Sequence, residues 1–176
     1  MNLGIPPQTP TQPKPLAAGH AHGQATWDSY RAEAPELTAR IAAAIAPQGE
    51  VEARVRAALP QAMAVYAFGS RVTGGANARS DLDLAVLVPG YADALQLWEL
   101  ASQLSDKVGC GVDLLDFRAA STVMQHQVLT QGRKIWSVEP ATGVWEAAIL
   151  SDYTALNEAR APLLADIATR GRIHAR

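Results

Sequence analysis

The chain has 176 residues, of which 48% are hydrophobic and 18% charged, and its net charge at pH 7 is −2. This length predicts one domain with short additions, and the apolar fraction is sufficient for a buried core. The small net charge argues against nucleic acid as a general partner. The single cysteine, Cys110, excludes an intrachain disulfide and favours a reducing compartment, and we interpret it as a small apolar residue packed before a strand.

The first 26 residues are rich in proline, glycine and polar residues, which predicts a disordered or extended tail over residues 1–26. Two histidines in this tail, His20 and His22, are expected to be solvated. The chain shows neither a secretory signal pattern nor an apolar run of about 20 residues that would span a membrane, so we expect a cytoplasmic protein.

Helical periodicity begins near Asp28 and continues to Ile45, and a second amphipathic segment covers residues 51–59 before Pro60 ends it. We expect Trp27 and Tyr30 to pack on the core. The predicted domain covers residues 27–138 and includes these helices.

Residues 64–68 are apolar throughout and predict a buried strand, which ends at Gly69 and Ser70. The following residues can continue as a short helix, whose first N–H groups and dipole can hold phosphate oxygens. Gly69 lets a phosphate approach the backbone, Ser70 can add a hydroxyl donor, and Arg71 can add a cation. A Gly-Ser pair alone, however, is an ordinary turn.

Two aspartates, Asp81 and Asp83, open the next strand-like run, residues 81–88. A strand has a period of two residues, so both carboxylates lie on one face with Cα atoms about 6.6 Å apart. Carboxylates this close resist joint ionisation, and a divalent cation such as Mg²⁺, which also binds substrate phosphates, removes that cost. The two motifs together predict an enzyme that acts on a nucleoside triphosphate.

Further carboxylates follow a predicted amphipathic helix over residues 92–107. The strand-like segment 112–117 carries Asp113 and Asp116, and alternation places them on opposite faces, so only one of them can point at the metal site. Sequence alone leaves the choice between them open.

The next segment predicts a helix over residues 121–131, with Ser121 or Thr122 able to cap it, Gly132 ending it, and a short edge strand at residues 133–136. His126 lies within this helix, and we interpret it as a surface histidine and not as a general base.

A long helix is predicted from Pro140, and residues 139–176 form a C-terminal segment that packs on the domain or contacts a partner protein. Its apolar residues recur at helical spacing: Trp145, Ile149, Tyr153, Leu156, Leu163 and Ile167.

The Gly-Ser pair, ten further residues and then Asp-x-Asp resemble the signature of the minimal nucleotidyltransferases of the DNA polymerase β-like superfamily. The resemblance covers about residues 60–136. It implies an α/β (α+β) fold, with a small mixed β-sheet and flanking helices, and Mg²⁺-dependent transfer from ATP with two metal ions. The residues it implies are the catalytic and metal-binding Asp81, Asp83 and Asp113, with Asp116 as the competitor of Asp113, and the nucleotide-binding Gly69, Ser70, Arg71 and Ser80.

The order of elements after the third carboxylate, a helix, a glycine, a strand and a tyrosine-containing helix, is similar to antitoxins encoded beside HEPN-domain ribonuclease toxins. That resemblance implies a protein adenylyltransferase that moves AMP from ATP to a tyrosine of a HEPN toxin and releases pyrophosphate. Three alternatives remain at this point: an antibiotic nucleotidyltransferase, an antitoxin that acts by binding alone, and an enzyme that modifies nucleic-acid ends. The last is disfavoured by the lack of a basic surface.

Overall fold

A computed structural model of the protein describes residues 35–170. The predicted tail over residues 1–26, its two histidines, Trp27 and Tyr30 lie outside the described residues. In chain order the elements are α1 (Pro35–Ala44), α2 (Glu50–Ala58), β1 (Ala64–Phe68), α3 (Ser70–Thr73), β2 (Leu82–Leu87), α4 (Ala94–Val108), β3 (Val112–Asp116), α5 (Thr122–Gln131), β4 (Arg133–Ser137) and α6 (Ala141–Arg170).

The four strands form one mixed sheet in the order β3-β2-β1-β4. Strand β1 runs antiparallel to both β2 and β4, whereas β2 and β3 are parallel. A parallel pair needs a crossover connection, which α4 supplies. The predicted mixed sheet is therefore confirmed, and so is the prediction that the segment forming β4 is an edge strand.

Alternation along the strands divides the core between the two faces of the sheet. One face carries Val65, Ala67, Leu84 and Val86 and is covered by α1, α2 and α4. The other face carries Tyr66, Phe68, Ala85 and Leu87 and is covered by α5 and the first part of α6, together with Phe117. Strand β1 is buried along its whole length, as its apolar sequence predicts.

Side-chain caps begin the two middle helices, and glycines end them. Asp93 accepts a hydrogen bond from the Gln96 N–H at 2.9 Å at the start of α4, and Gly109 ends that helix at φ +83°. Ser121 caps α5, as predicted, by accepting from the Met124 N–H, and Gly132 ends it.

The first half of α6 is anchored to the sheet by polar and aromatic contacts. The Tyr66 hydroxyl donates to Glu146 at 2.5 Å, and Lys134 forms an ion pair with the same carboxylate at 2.9 Å. Burial, followed by the Glu146 hydrogen bond, raises the pKa of Tyr66 well above its ordinary value. Trp145 packs edge-on against Phe117. These contacts hold α6 against β1 and β4.

The second half of α6 extends beyond the sheet. Leu163 and Leu164 are 58% and 57% exposed, so this end of the predicted stripe does not pack on the domain. The helix also continues through Pro162, which lacks the N–H of an ordinary helical residue. Despite its 30 residues, α6 lacks the sustained apolar stretch of a membrane-crossing helix, and the same holds for the other described helices.

Candidate active site

The turn after β1 has a backbone that only glycine adopts readily. Gly69 lies at φ +75° and ψ −162°, and its carbonyl accepts the N–H groups of Val72 and Thr73 at 3.1 Å each, which begins the short helix α3. A Cβ added at Gly69 would lie 2.0 Å from Oδ2 of Asp83. The turn and this carboxylate are therefore packed directly against each other, which is a reason for glycine that the sequence did not reveal.

Strand pairing aligns the turn with two of the predicted carboxylates. Phe68 pairs with Asp83 across β1 and β2, and Asp83 pairs with Asp113 across β2 and β3. Residues paired in register point to the same face of a sheet. Asp83 and Asp113 thus lie on the face that carries Phe68, at the end of the sheet where Gly69 follows β1.

Asp81 belongs to the same end of the sheet but contacts a different neighbour. It is exposed, and its Oδ1 would lie 2.1 Å from a Cβ added at Gly111, the residue that precedes β3. The Leu82 N–H also donates to the Gly111 carbonyl at 2.8 Å. Gly111 therefore supports the position of Asp81. The sequence analysis did not identify Gly111 as part of the site, although it lies directly before the strand that carries Asp113.

The electrostatics of the site are centred on Asp83. Burial raises the pKa of this half-buried carboxyl above its ordinary value, and the negative charges of Asp113 and Asp81 raise it further, whereas Arg71 lowers it. Three carboxylates therefore repel each other around Asp83. A bound divalent cation would remove this repulsion.

The three aspartates have the chemistry of an Mg²⁺ site, because this ion prefers oxygen ligands and is often held by carboxylates together with substrate phosphates. Within residues 35–170, no three His, Cys, Asp or Glu side chains are gathered as a set that could hold a metal ion. Asp83 lies against Gly69, whereas Asp81 lies against Gly111.

Asp116, the competitor of Asp113, has a different role in the structure. Its buried carboxylate accepts the N–H groups of Ala92 and Arg118 at 2.9 Å each. It therefore holds the loops that follow β2 and β3. Asp113 is exposed and paired with Asp83, so the geometry favours Asp113 as the third candidate ligand.

Arg71 and Ser80 join α3 to the loop that precedes β2. The Arg71 Nε donates to the Ser80 carbonyl at 2.9 Å, and the Ser80 hydroxyl oxygen accepts the Asn77 N–H at 2.9 Å. The structure thus gives both residues a part in shaping the loop. The half-buried Ser70 lies at the first position of α3, beside Gly69.

Cys110 and His126, two other residues from the sequence analysis, both contact neighbouring side chains. Cys110 is partly buried and packs against the core, as expected. His126 stacks on Tyr153 with ring centroids 3.6 Å apart, so it joins α5 to α6.

The family described as polymerase beta, nucleotidyltransferase matches residues 55–141, which contain the sheet, the glycine turn and all three aspartates. The fold and the site therefore define a chain of the nucleotidyltransferase class.

More specific similarity comes from a characterised enzyme. The protein adenylyltransferase MntA of Shewanella oneidensis is 35% identical over 109 residues, which cover 62% of this chain and 78% of MntA. The chain belongs to the MntA family of nucleotidyltransferases, which confirms the family predicted from the sequence.

Solved structures give the same result. A crystal structure of a toxin–antitoxin with AMP-PNP superposes with a TM-score of 0.61 at 33% identity and covers 68% of this chain and 96% of the matched chain. A complex of tri-AMPylated Shewanella oneidensis HEPN toxin with MNT antitoxin matches with a TM-score of 0.57 at 32% identity, over 68% of this chain and 93% of the other.

Proposed function

We propose that this chain is an antitoxin-type protein adenylyltransferase, which transfers AMP from ATP to a tyrosine of a cognate HEPN ribonuclease toxin and thereby neutralises it. The match over 78% of MntA, a protein adenylyltransferase, favours a protein substrate over a small antibiotic. The solved structures that match this chain include a complex with AMP-PNP and a complex with an AMPylated HEPN toxin. Because the reaction consumes ATP, we place it in the cytoplasm.

The observation that carries this proposal is the register that brings Gly69, Asp83 and Asp113 to one end of the sheet. We assign the triphosphate to the turn at Gly69 and Ser70, where a hydroxyl and backbone N–H groups are available as donors. Arg71 and Ser80 border the same nucleotide site, because their mutual hydrogen bond shapes the loop before Asp81.

We assign Asp81, Asp83 and Asp113 as the ligands of two Mg²⁺ ions. Bound Mg²⁺ would supply positive charge to the triphosphate and to the attacking hydroxyl. The tyrosine hydroxyl oxygen forms a bond to the α-phosphorus of ATP, the bond from this phosphorus to the bridging oxygen of the β-phosphate breaks, and pyrophosphate leaves. Asp113, the most exposed neighbour of Asp83 in the register, accepts the hydroxyl proton.

We assign partner capture to the second half of α6. This part of the helix extends beyond the sheet and presents Leu163 and Leu164 to solvent. Two adjacent exposed leucines on a helix fit a protein interface. The helix carries none of the three aspartates, so capture and catalysis should be separable by mutation.

ATP that carries an isotope label at a chosen phosphate tests the reaction class. The protein is incubated with Mg²⁺ and the HEPN-domain protein encoded beside it. One reaction contains ATP labelled at the α-phosphate, and a parallel reaction contains ATP labelled at the γ-phosphate. Adenylyl transfer places only the α-label on the partner, whereas phosphoryl transfer would place only the γ-label there. An antitoxin that acts by binding alone would leave the partner without either label while still silencing its ribonuclease activity.

A further inference from the structure

Helix α4 and the loop before it present three large apolar side chains to solvent. Tyr91 is 76% exposed, Leu95 is 63% exposed and Trp98 is 67% exposed. Leu95 and Trp98 are three residues apart, so they lie on one face of the helix, and Tyr91 lies in the loop before it. Single exposed apolar residues are common, but two large apolar side chains on one face of a helix are typical of an interaction surface.

A groove connects this surface to the candidate active site. It lies between α4 and β3, with Trp98, Ser102 and Asp106 on the helix side and Asp81 and Asp113 at the other wall. The groove therefore joins an exposed aromatic residue to two of the three candidate catalytic carboxylates.

The length of the groove follows from one hydrogen bond. The Val112 N–H donates to the Ser105 hydroxyl oxygen at 3.0 Å, which places Ser105 beside the residue next to Asp113. Trp98 lies seven residues earlier on α4, or about 10 Å along the helix. An extended peptide covers this distance in about three residues.

The floor of the groove belongs to an edge strand. Among the described residues, β3 pairs with β2 on one side and with no strand on the other. The Gly111 carbonyl and the Phe117 N–H bond to β2, so alternation turns the peptide groups of Leu114 to the outer edge. An extended segment of another protein can hydrogen-bond to such an edge.

The negative charge of the groove also indicates what kind of side chain it can bind. Asp81, Asp106 and Asp113 are all in its lining. Bound metal would engage Asp81 and Asp113, which leaves the exposed Asp106 to face the occupant. An apolar surface, a free strand edge and a remaining carboxylate together fit an extended peptide with one apolar and one basic side chain.

We propose that the groove between α4 and β3 holds the acceptor segment of the protein substrate as an extended strand, with an apolar side chain on Trp98 and the acceptor hydroxyl at Asp113. The proposal rests on the proposed function, because it identifies how that site selects a polypeptide substrate. It also states that the apolar anchor lies about three residues from the modified tyrosine.

Steady-state kinetics of Trp98→Ala test the groove. We expect the KM for the HEPN-domain protein to rise at least tenfold, with little change in the affinity for AMP-PNP measured with Mg²⁺. Trp98→Phe keeps an aromatic ring and should recover most of the lost kcat/KM. Val123→Ala is the control, because it removes an exposed apolar side chain from α5 on another part of the surface, and its KM should equal that of the wild type.

A photo-cross-linking residue at Ser102 provides a second measurement. We expect it to cross-link to the partner within a few residues of the modified tyrosine. A wild-type KM in Trp98→Ala, or cross-links that map far from that tyrosine, would overturn the groove assignment while leaving AMP transfer intact. Failure of the wild-type protein to transfer AMP at all would instead reject the proposed function, and the groove assignment with it.

Discussion

Replacement of Gly69 by alanine tests the contact between the glycine turn and the Asp83 carboxylate. The conformation at φ +75° and ψ −162° is strained for any residue with a Cβ, at a cost of about 1–3 kcal/mol. For a chain of this size we expect the Tm to fall by about 2–12 °C, which differential scanning calorimetry can measure.

The effect on AMP transfer should be larger than the effect on stability. The new Cβ would lie 2.0 Å from Oδ2 of Asp83, about 1 Å inside the 3.0 Å limit that Cβ contacts respect. The carboxylate must therefore move by about 1 Å, and a displacement of this size can slow catalysis by about 100-fold. Quench-flow measurement of labelled AMP on the partner reports this rate.

Gly90→Ala is the matched control. Gly90 has the same φ of +75°, but a Cβ there would meet no atom within 4 Å. This variant should lose stability while transferring AMP at the wild-type rate. In a double-mutant cycle, Gly69→Ala should cost less stability when Asp83 is already alanine, because the clash is absent. Equal costs in the two backgrounds would refute the contact between Gly69 and Asp83.

Four further variants test other parts of the site and its support. Asp113→Asn should abolish AMP transfer at native stability, whereas Asp116→Asn should lower the unfolding free energy by about 1–3 kcal/mol, since it disturbs two buried backbone contacts, and should retain transfer. Because the pKa of Asp83 is raised in the fold, ionisation costs stability as the pH rises above its ordinary value of 3.8. Without Mg²⁺, Asp83→Asn should therefore be more stable than wild type at pH 7 and lose that advantage in acid, as pH-dependent urea unfolding can measure. Tyr66→Phe should lose about 1.5–3 kcal/mol through its hydrogen bond to Glu146, with an unchanged transfer rate.

Local sequence patterns predict the strands and the turn because each depends on neighbouring residues. The apolar run before Gly69 indicates β1. Alternation predicts Asp81 and Asp83 on one face, but β2 begins only at Leu82, and the two carboxylates lie against different glycines, Gly111 and Gly69. Alternation also separates Asp113 from Asp116, but it cannot select between them. That selection depends on the Ala92 N–H, which approaches Asp116 only after α4 has crossed over the sheet.

The pattern of α6 predicts a helix but not the extent of its packing. Its 30 residues span about 45 Å, whereas the five residues of β1 span only about 17 Å. The sheet therefore ends before the helix does, and Leu163 is left exposed although its spacing continues the apolar stripe. The sequence analysis also did not identify the exposed side of α4. The periodicity of Leu97 and Leu104 predicts which face of the helix is buried, but it does not show whether another element covers Trp98.

The intact mass of the partner, measured after its separation from this protein, tests the central claim most directly. Incubation of the wild-type chain with its neighbouring HEPN-domain protein, ATP and Mg²⁺ should add the mass of one or more adenylyl groups to a tyrosine of that protein. The Asp81→Asn, Asp83→Asn double variant should add none, although α6 still allows it to contact the partner. If the wild-type chain silences the ribonuclease and the mass of the separated partner is unchanged, the chain acts by binding and the account of its catalytic site is wrong.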